Sequence, residues 1–217
     1  MNLRTFSNRH ARGVLRFATC TAAVALCLSG PAVAGAEQPD PHAQHMHPMP
    51  PKAAWVRSSA EYKLPSVMLV RADGAKVDFQ KELDGGKPVI LNFIYTTCTA
   101  ICPVMTQTFA EVQKRLGDDK SKVRMVSISI DPEEDTPPRL AEYAKRYNAG
   151  SQWQFYTGTL EASIAVQKAF DAYRGDKMNH LPLTLVRSAP GKPWVRMDGF
   201  ATPDDIVKEY RSLVAAK

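Results

Sequence analysis

The chain has 217 residues, a length that suits one folded domain with additional segments. Apolar residues make up 44% of it and charged residues 23%, which is ordinary for a globular protein. The formal net charge is +6, but four arginines in residues 1–36, which contain no acid, account for four of these charges. The remainder therefore carries +2 and has no cluster of lysine and arginine, which argues against a nucleic-acid partner.

Residues 1–36 are expected to be a secretory signal peptide. The arginines come first, the uncharged stretch 17–36 follows, and Gly30-Pro31 precedes Ala-x-Ala patterns of the kind found at cleavage sites. The alternative is an uncleaved membrane anchor, because 20 uncharged residues are enough to cross a bilayer. We therefore expect a periplasmic protein, held at the inner membrane only if residues 17–36 are not removed.

Residues 37–57 are expected to be a disordered linker, since they contain five prolines and almost no apolar pattern. Imidazole and thioether groups are concentrated inside this linker, at His42, His45, Met46, His47 and Met49. Both groups are copper ligands, and the thioether suits Cu(I) in particular. The cluster is either a copper-capturing segment or a polar tether whose composition is due to chance.

Residues 58–217 are predicted to form an α/β domain with a mixed central sheet flanked by helices. A β-hairpin opens it, with Asp73-Gly74 as the turn. The predicted strands are 67–70, 76–79, 89–95, 123–130, 153–156, 183–186 and 194–197. Helices follow at 103–116, from Pro137 after Thr136 as N-cap, at 159–173 and from Pro203 after Thr202. Strands that alternate with helices predict a parallel core, and hairpins at both ends predict a mixed sheet.

The apolar run 89–95 leads to two cysteines, Cys98 and Cys102, and Pro103 follows directly. Proline is favoured at the first position of a helix, and apolar residues at helical spacing continue over 104–116. The thiols are therefore expected where a buried strand gives way to a helix. The partial positive charge of a helix N-terminus favours a thiolate and lowers its pKa, so we expect the chemistry here.

The spacing of the two cysteines leaves several roles open. Residues four apart in a helical turn are neighbours, close enough for a disulfide or for two sulfurs on one metal ion. Soft thiolates select copper or zinc over hard cations. Two ligands rarely suffice, and His180, the only histidine after residue 57, precedes a predicted strand and is the candidate third ligand. The alternatives are a structural disulfide for the thiols and an ordinary surface position for His180.

Three blocks of the sequence resemble the Sco/SenC family. They are Tyr95-Thr-Thr-Cys98-Thr-Ala-Ile-Cys102-Pro103, then Ser127-Ile-Ser-Ile-Asp131-Pro-Glu-Glu-Asp135-Thr-Pro137, then His180 before a strand. The resemblance covers roughly residues 64–215 and implies a thioredoxin-like fold. It further implies that Cys98, Cys102 and His180 bind one copper ion. Members of the family help assemble the copper A centre of cytochrome c oxidase, by delivering copper, by reducing its cysteines, or both.

The implied partners are a copper-receiving protein, such as an oxidase subunit, and a thiol reductant. A copper chaperone is one function that fits, and a thiol–disulfide oxidoreductase that uses Cys98 and Cys102 as a redox pair without obligatory metal is another. A peroxidase of the same fold is a third. Pro182 stands where thioredoxin folds carry a cis-proline beside the active thiols, which favours thiol exchange. Turn and capping roles suffice to explain Asp131 and Asp135.

Overall fold

The structure is a computed structural model that describes residues 55–216. In this part of the chain the strands are β1 (Trp55–Ala60), β2 (Met68–Arg71), β3 (Lys76–Asp78), β4 (Val89–Ile94), β5 (Arg124–Ser129), β6 (Trp153–Thr157), β7 (Leu183–Arg187) and β8 (Trp194–Gly199). The α-helices are α1 (Phe79–Leu83), α2 (Ile101–Arg115), α3 (Pro137–Arg146), α4 (Leu160–Ala169) and α5 (Pro203–Ala215), and short 3₁₀ helices span Gly117–Ser121 and Lys177–Asn179.

The predictions for the N-terminal part, namely the signal peptide or anchor over 1–36 and the histidine and methionine cluster of the linker, lie outside the described residues. Within them, no helix is both long and apolar enough to cross a bilayer.

The eight strands form one mixed sheet in the order β1-β8-β7-β4-β5-β6-β2-β3. Strands β4, β5 and β6 pair in parallel, whereas the outer pairs are antiparallel. The predicted mixed sheet and parallel core are confirmed. Because β4 and β5 run in the same direction, the loops that follow them leave the sheet at one edge, and such edges are where α/β proteins place their sites.

The predicted elements are found, and the structure adds strand β1, helix α1 and the two 3₁₀ helices. The hairpin of β2 and β3 turns at Gly74, whose positive φ of 87° suits glycine, and Asp73 accepts a hydrogen bond from the N–H of Ala75. Strand β1 and helix α1 were not predicted. Strand β1 starts at Trp55, three residues before the predicted start of the domain, and most of its side chains are exposed. It is a strand because it pairs with β8 over its whole length, which an apolar pattern could not reveal.

The core is built around strands that are buried on both faces. All six residues of β4 and all five of β7 are buried, as expected for strands covered on both sides. Phe170, which ends α4, is fully buried and makes edge-to-face contacts with four rings. These rings belong to Tyr62, Phe79, Phe93 and Trp194, which lie on different elements. Phe170 therefore joins the hairpin side of the domain, the central strand and β8.

We expect Phe170→Ala to lower the free energy of unfolding by about 3–5 kcal/mol, because it removes a fully buried ring and leaves a cavity. Phe200→Ala is the matched control, since Phe200 is 44% exposed and its loss should cost less than about 0.5 kcal/mol. Urea unfolding followed by circular dichroism measures both. Equal losses in the two variants would contradict the role of Phe170.

Candidate functional site

Both cysteines lie between β4 and the first turn of α2, as predicted. Helix α2 begins at Ile101, so Cys98 precedes the helix and Cys102 is its second residue. Pro103 is at the third position and not the first; it is tolerated there because the first four N–H groups of a helix have no partner within it. In the structure both cysteines are free thiols, so the possible disulfide stays a prediction.

The environments of the two thiols differ. Cys102 is fully buried, and its Sγ accepts the N–H of Tyr95 at 3.4 Å. Cys98 is partly exposed, and its Sγ accepts the N–H of Cys102 at 3.3 Å. Ala100, the residue at the N-cap position of α2, makes no side-chain cap. The sulfur of Cys98 therefore satisfies a helix N–H that a cap would otherwise bind.

These environments shift the two pKa values in opposite directions. Burial raises the pKa of Cys102, and the nearby Cys98 adds to the rise. Burial also acts to raise the pKa of Cys98, but hydrogen bonds from the N–H groups of Cys102 and Ala100 and from the Tyr95 hydroxyl outweigh it, so this pKa is lowered. The predicted lowering for a thiol at the helix N-terminus is found at Cys98, whereas at Cys102 the loss of water dominates over the helix N-terminus.

Asp135 fixes the start of the thiol loop, the segment 95–100 that joins β4 to α2. Its carboxylate is fully buried, and its two oxygens accept the N–H of Thr96, Oδ1 at 3.1 Å and Oδ2 at 3.2 Å. The hydroxyls of Thr96 and Ser129 donate to the same carboxylate. Several donors are needed here because a buried charge without partners is strongly unfavourable. Asp135 is thus more than a turn residue, and sequence reasoning missed this contact because Thr96 lies 39 positions away.

His180 lies next to the central strand. It is 6% exposed, and its Nε2 is 3.2 Å from the carbonyl oxygen of Phe93 in β4. A carbonyl oxygen only accepts, so Nε2 carries the proton and Nδ1 keeps the lone pair that a metal ion binds. Burial lowers the pKa of His180, the bond to Phe93 opposes this, and the charge of Arg174 lowers it further. The imidazole is therefore kept neutral, the form that can act as a ligand.

The loop that carries His180 packs against the thiol loop through Tyr95. Lys177 forms a 2.6 Å ion pair with Asp131 and lies over the ring of Tyr95, 5.9 Å from its centroid. The Sδ of Met178 is 3.6 Å from the Tyr95 hydroxyl. Burial, together with the neighbouring Cys98, raises the pKa of Tyr95 to about 12, so this hydroxyl stays a donor. These contacts give Asp131 a role that sequence reasoning did not assign.

The structure brings His180 to the strand that leads to the thiols without closing a three-ligand site. Among residues 55–216, no group of three or more His, Cys, Asp or Glu side chains is arranged to hold a metal ion. His180 borders a cavity of about 220 Å³ that neither cysteine lines. The donor types nevertheless fit copper, since two thiolates and a neutral imidazole suit it. The set Cys98, Cys102 and His180 stays a prediction, and binding through all three needs the two loops to approach each other.

Pro182 does not have the predicted geometry. No peptide bond in the described part of the chain is cis, so the bond between Leu181 and Pro182 is trans. The argument for thiol exchange from a cis-proline is therefore wrong. The case for that chemistry depends on the thiols themselves.

Comparison with known proteins identifies the family. Residues 59–215 match the family model described as SCO1/SenC. The chain belongs to the SCO1/SenC family. It is 28% identical over 172 residues to the SCO1 protein homolog of Bacillus subtilis. The aligned region covers 75% of this chain and 88% of the relative.

Solved structures of the Sco family share the fold. One of them is BsSco, described as a member of the Sco family of cytochrome c oxidase assembly proteins and as having a disulfide switch. Its structure matches with a TM-score of 0.63 and 29% sequence identity, and the match covers 75% of this chain and 99% of that one. Arabidopsis thaliana ScoI, solved with copper bound, matches with a TM-score of 0.59 and 26% identity over 69% and 96% of the two chains. The predicted family and thioredoxin-like fold are confirmed.

We expect limiting iodoacetamide to alkylate Cys98 well before Cys102, because Cys102 is fully buried. The lowered pKa of Cys98 means that its alkylation rate should reach half of its maximum at a lower pH than that of a free cysteine thiol, whereas Cys102 should need a higher pH. Tyr95→Phe removes a hydrogen bond that stabilises the Cys98 thiolate, so it should move this profile to higher pH.

Mass spectrometry of Cys102→Ser and Cys98→Ser proteins follows each thiol separately. Equal rates at the two thiols, or an unmoved Cys98 profile in Tyr95→Phe, would contradict the assigned environments.

Proposed function

We propose that this protein is an exported copper chaperone in which Cys98, Cys102 and His180 bind one copper ion. The observation that carries the proposal is the position of His180, a neutral imidazole bonded through Nε2 to the strand that leads to the thiols, with Nδ1 available. Membership of the SCO1/SenC family and the copper-bound Arabidopsis relative support it.

The chain's own groups define an order of events. Cys98 binds first, because it is the accessible thiol, and its proton passes to water. Cys102 and His180 are buried and join after the two loops have moved together; the Cys102 thiol then gives its proton to water, and His180 binds as the neutral imidazole. A recipient then removes the ion by replacing these ligands one at a time. The recipient is a cytochrome c oxidase subunit, which the description of BsSco as a member of a family of oxidase assembly proteins supports.

The cellular setting follows from the sequence. Residues 1–36 direct export to the periplasm, and retention of 17–36 would anchor the protein at the inner membrane. A thiol reductant is needed there, because a disulfide between Cys98 and Cys102 would remove both sulfur ligands.

We expect the reduced mature protein to bind one Cu(I) at the central site. His180→Ala should weaken this binding by at least about tenfold, because it removes a ligand, and the loss of a residue that only supports a ligand already lowers metal affinity by about tenfold or more. Competition with a Cu(I) chelator under anaerobic conditions measures the affinity. The control is a variant that combines His42→Ala, His45→Ala and His47→Ala. It separates copper bound by the linker cluster from copper bound at the central site.

Circular dichroism must show that His180→Ala is folded, since the residue is buried. Unchanged affinity in a folded His180→Ala protein would contradict the ligand assignment.

A second function, thiol–disulfide exchange, is favoured by the difference between the two cysteines. The exposed thiol of Cys98 has a lowered pKa and suits an attacking group, whereas the buried Cys102, with a raised pKa, suits a resolving thiol. The Cys98 thiolate would attack a partner disulfide and release one partner thiolate. Cys102 would then attack the mixed disulfide, release the second thiolate and leave the Cys98–Cys102 disulfide. No contact within residues 55–216 favours the peroxidase alternative.

If exchange operates, metal-free reduced protein should reduce a fluorescent disulfide-linked peptide in the presence of a chelator. Cys98→Ser should abolish the reaction, and Cys102→Ser should accumulate the mixed disulfide because the resolving thiol is missing. Peptide fluorescence and non-reducing electrophoresis measure the two results. A Cys98→Ser protein as fast as the unaltered one would rule out this function.

A further inference from the structure

The loop that carries His180 is attached to the turn after β5 by one ion pair. This His180 loop, residues 170–182, joins α4 to β7. Lys177 lies inside it, and its Nζ is 2.6 Å from the carboxylate of Asp131, which follows the end of β5 by two residues. Within residues 55–216, no other ion pair involves the His180 loop. The function proposed above gives this pair no role.

The Asp131 end of this pair is held firmly by its own turn. The N–H of Asp131 donates to the Ser129 Oγ at 3.0 Å, and its carbonyl oxygen accepts the N–H of Asp135 at 2.9 Å. Asp135 is the residue whose carboxylate fixes the start of the thiol loop. One turn, residues 129–135, therefore holds the thiol loop through Asp135 and the His180 loop through Asp131.

Burial distinguishes this pair from an ordinary surface pair. Asp131 is 6% exposed, and within residues 55–216 the Lys177 Nζ is the only group that donates to its carboxylate. Loss of the ammonium would leave a buried charge unpaired, which is strongly unfavourable. The ammonium also lies over the ring of Tyr95, which adds a second attraction. By contrast, Lys122 and Asp119 form a 3.1 Å pair whose side chains are 67% and 31% exposed, and such pairs contribute little.

The constraint reaches His180 within one helical turn. Lys177 begins the 3₁₀ helix Lys177–Asn179, and its carbonyl oxygen accepts the N–H of His180 at 3.1 Å. The side chain of Asp176 caps the same helix at its N-terminus. The backbone of His180 is therefore fixed relative to Lys177, and through the ion pair it is fixed relative to the turn after β5.

We propose that Lys177 is a positioning residue for His180, which holds the His180 loop against the turn after β5 so that copper binding does not have to order it. This inference rests on the proposed copper function. Ordering a flexible segment on binding costs conformational entropy, so a loop that approaches the thiols as one body gives a higher affinity. The protonated amine has no lone pair for a metal ion, so Lys177 acts only through the position of the imidazole.

Amide hydrogen exchange of the metal-free, reduced mature chain, followed by NMR, tests the positioning without copper. In Lys177→Met the N–H of His180 should exchange about tenfold faster, a change of about 1.4 kcal/mol in the free energy of local opening. Lys122→Met is the matched control, because Lys122 also pairs with an aspartate beside a 3₁₀ helix but is mostly exposed. It should leave the exchange of His180 unchanged.

The affinity for Cu(I), measured by competition with a chelator, connects the pair to the ligand. Lys177→Met should weaken binding about tenfold, or about 1.4 kcal/mol, whereas Lys122→Met should not change it. Lys177→Arg keeps the charge and should retain most of the affinity. In a His180→Ala protein, Lys177→Met should have no further effect, because Lys177 acts through the imidazole. A protein with both Asp131→Asn and Lys177→Met leaves no buried charge to unfold it and should bind as weakly as Lys177→Met.

The outcomes separate this inference from the function on which it rests. Failure of the unaltered reduced chain to bind Cu(I), or an unchanged affinity in folded His180→Ala, overturns both. Where binding depends on His180, three results overturn the role of Lys177 alone. They are equal His180 exchange rates or equal affinities in Lys177→Met and Lys122→Met, restored affinity in the protein with both Asp131→Asn and Lys177→Met, and a further loss of affinity when Lys177→Met is added to His180→Ala.

Discussion

The buried carboxylate of Asp135 is the contact on which the site depends. Ile94 and Ser129 are register partners in the parallel pair β4 and β5, so Thr96, two residues beyond Ile94, comes within reach of the same carboxylate as Ser129. The negative charge is tolerated only because the donors around it replace water. The chain thus leaves β4 in one fixed direction, and the positions of both thiols follow from it.

From that fixed start, two cysteines four residues apart acquire different properties. Cys98 lies before helix α2 and is stabilised as a thiolate by N–H groups of the helix, whereas Cys102 is turned into the core, where burial favours the neutral thiol. The chemistry of either proposed function, with a metal ion or with a disulfide, would therefore begin at Cys98. The Tyr95 N–H donates to the Cys102 Sγ at 3.4 Å and holds the second sulfur in the core.

Local patterns predicted most of the fold, and contacts between distant residues account for the rest. The apolar runs of β4 and β7 and the Thr-Pro starts of α3 and α5 carry their signals within a few residues. Strand β1 has no such signal, because pairing with β8 and the contacts of Trp55 and Arg57 with α5 hold it. In the site, the motif identified both cysteines, but their partners lie elsewhere in the chain. Met178 and Tyr95 are 83 positions apart, and burial, which decides the pKa of Cys102, cannot be deduced from the motif.

The proposed copper binding and the proposed thiol exchange are connected, because both would use the same two sulfurs in different redox states. As free thiols, the state in the structure, Cys98 and Cys102 can supply copper ligands. Exchange would end with these sulfurs bonded to each other, a form without either ligand. His180 would distinguish the two proposed activities, since its neutral imidazole would serve as a metal ligand and has no bond to make or break in exchange. Under both proposals, a reductant that opened this disulfide would also restore the two sulfur ligands, so that one redox reaction would control both activities.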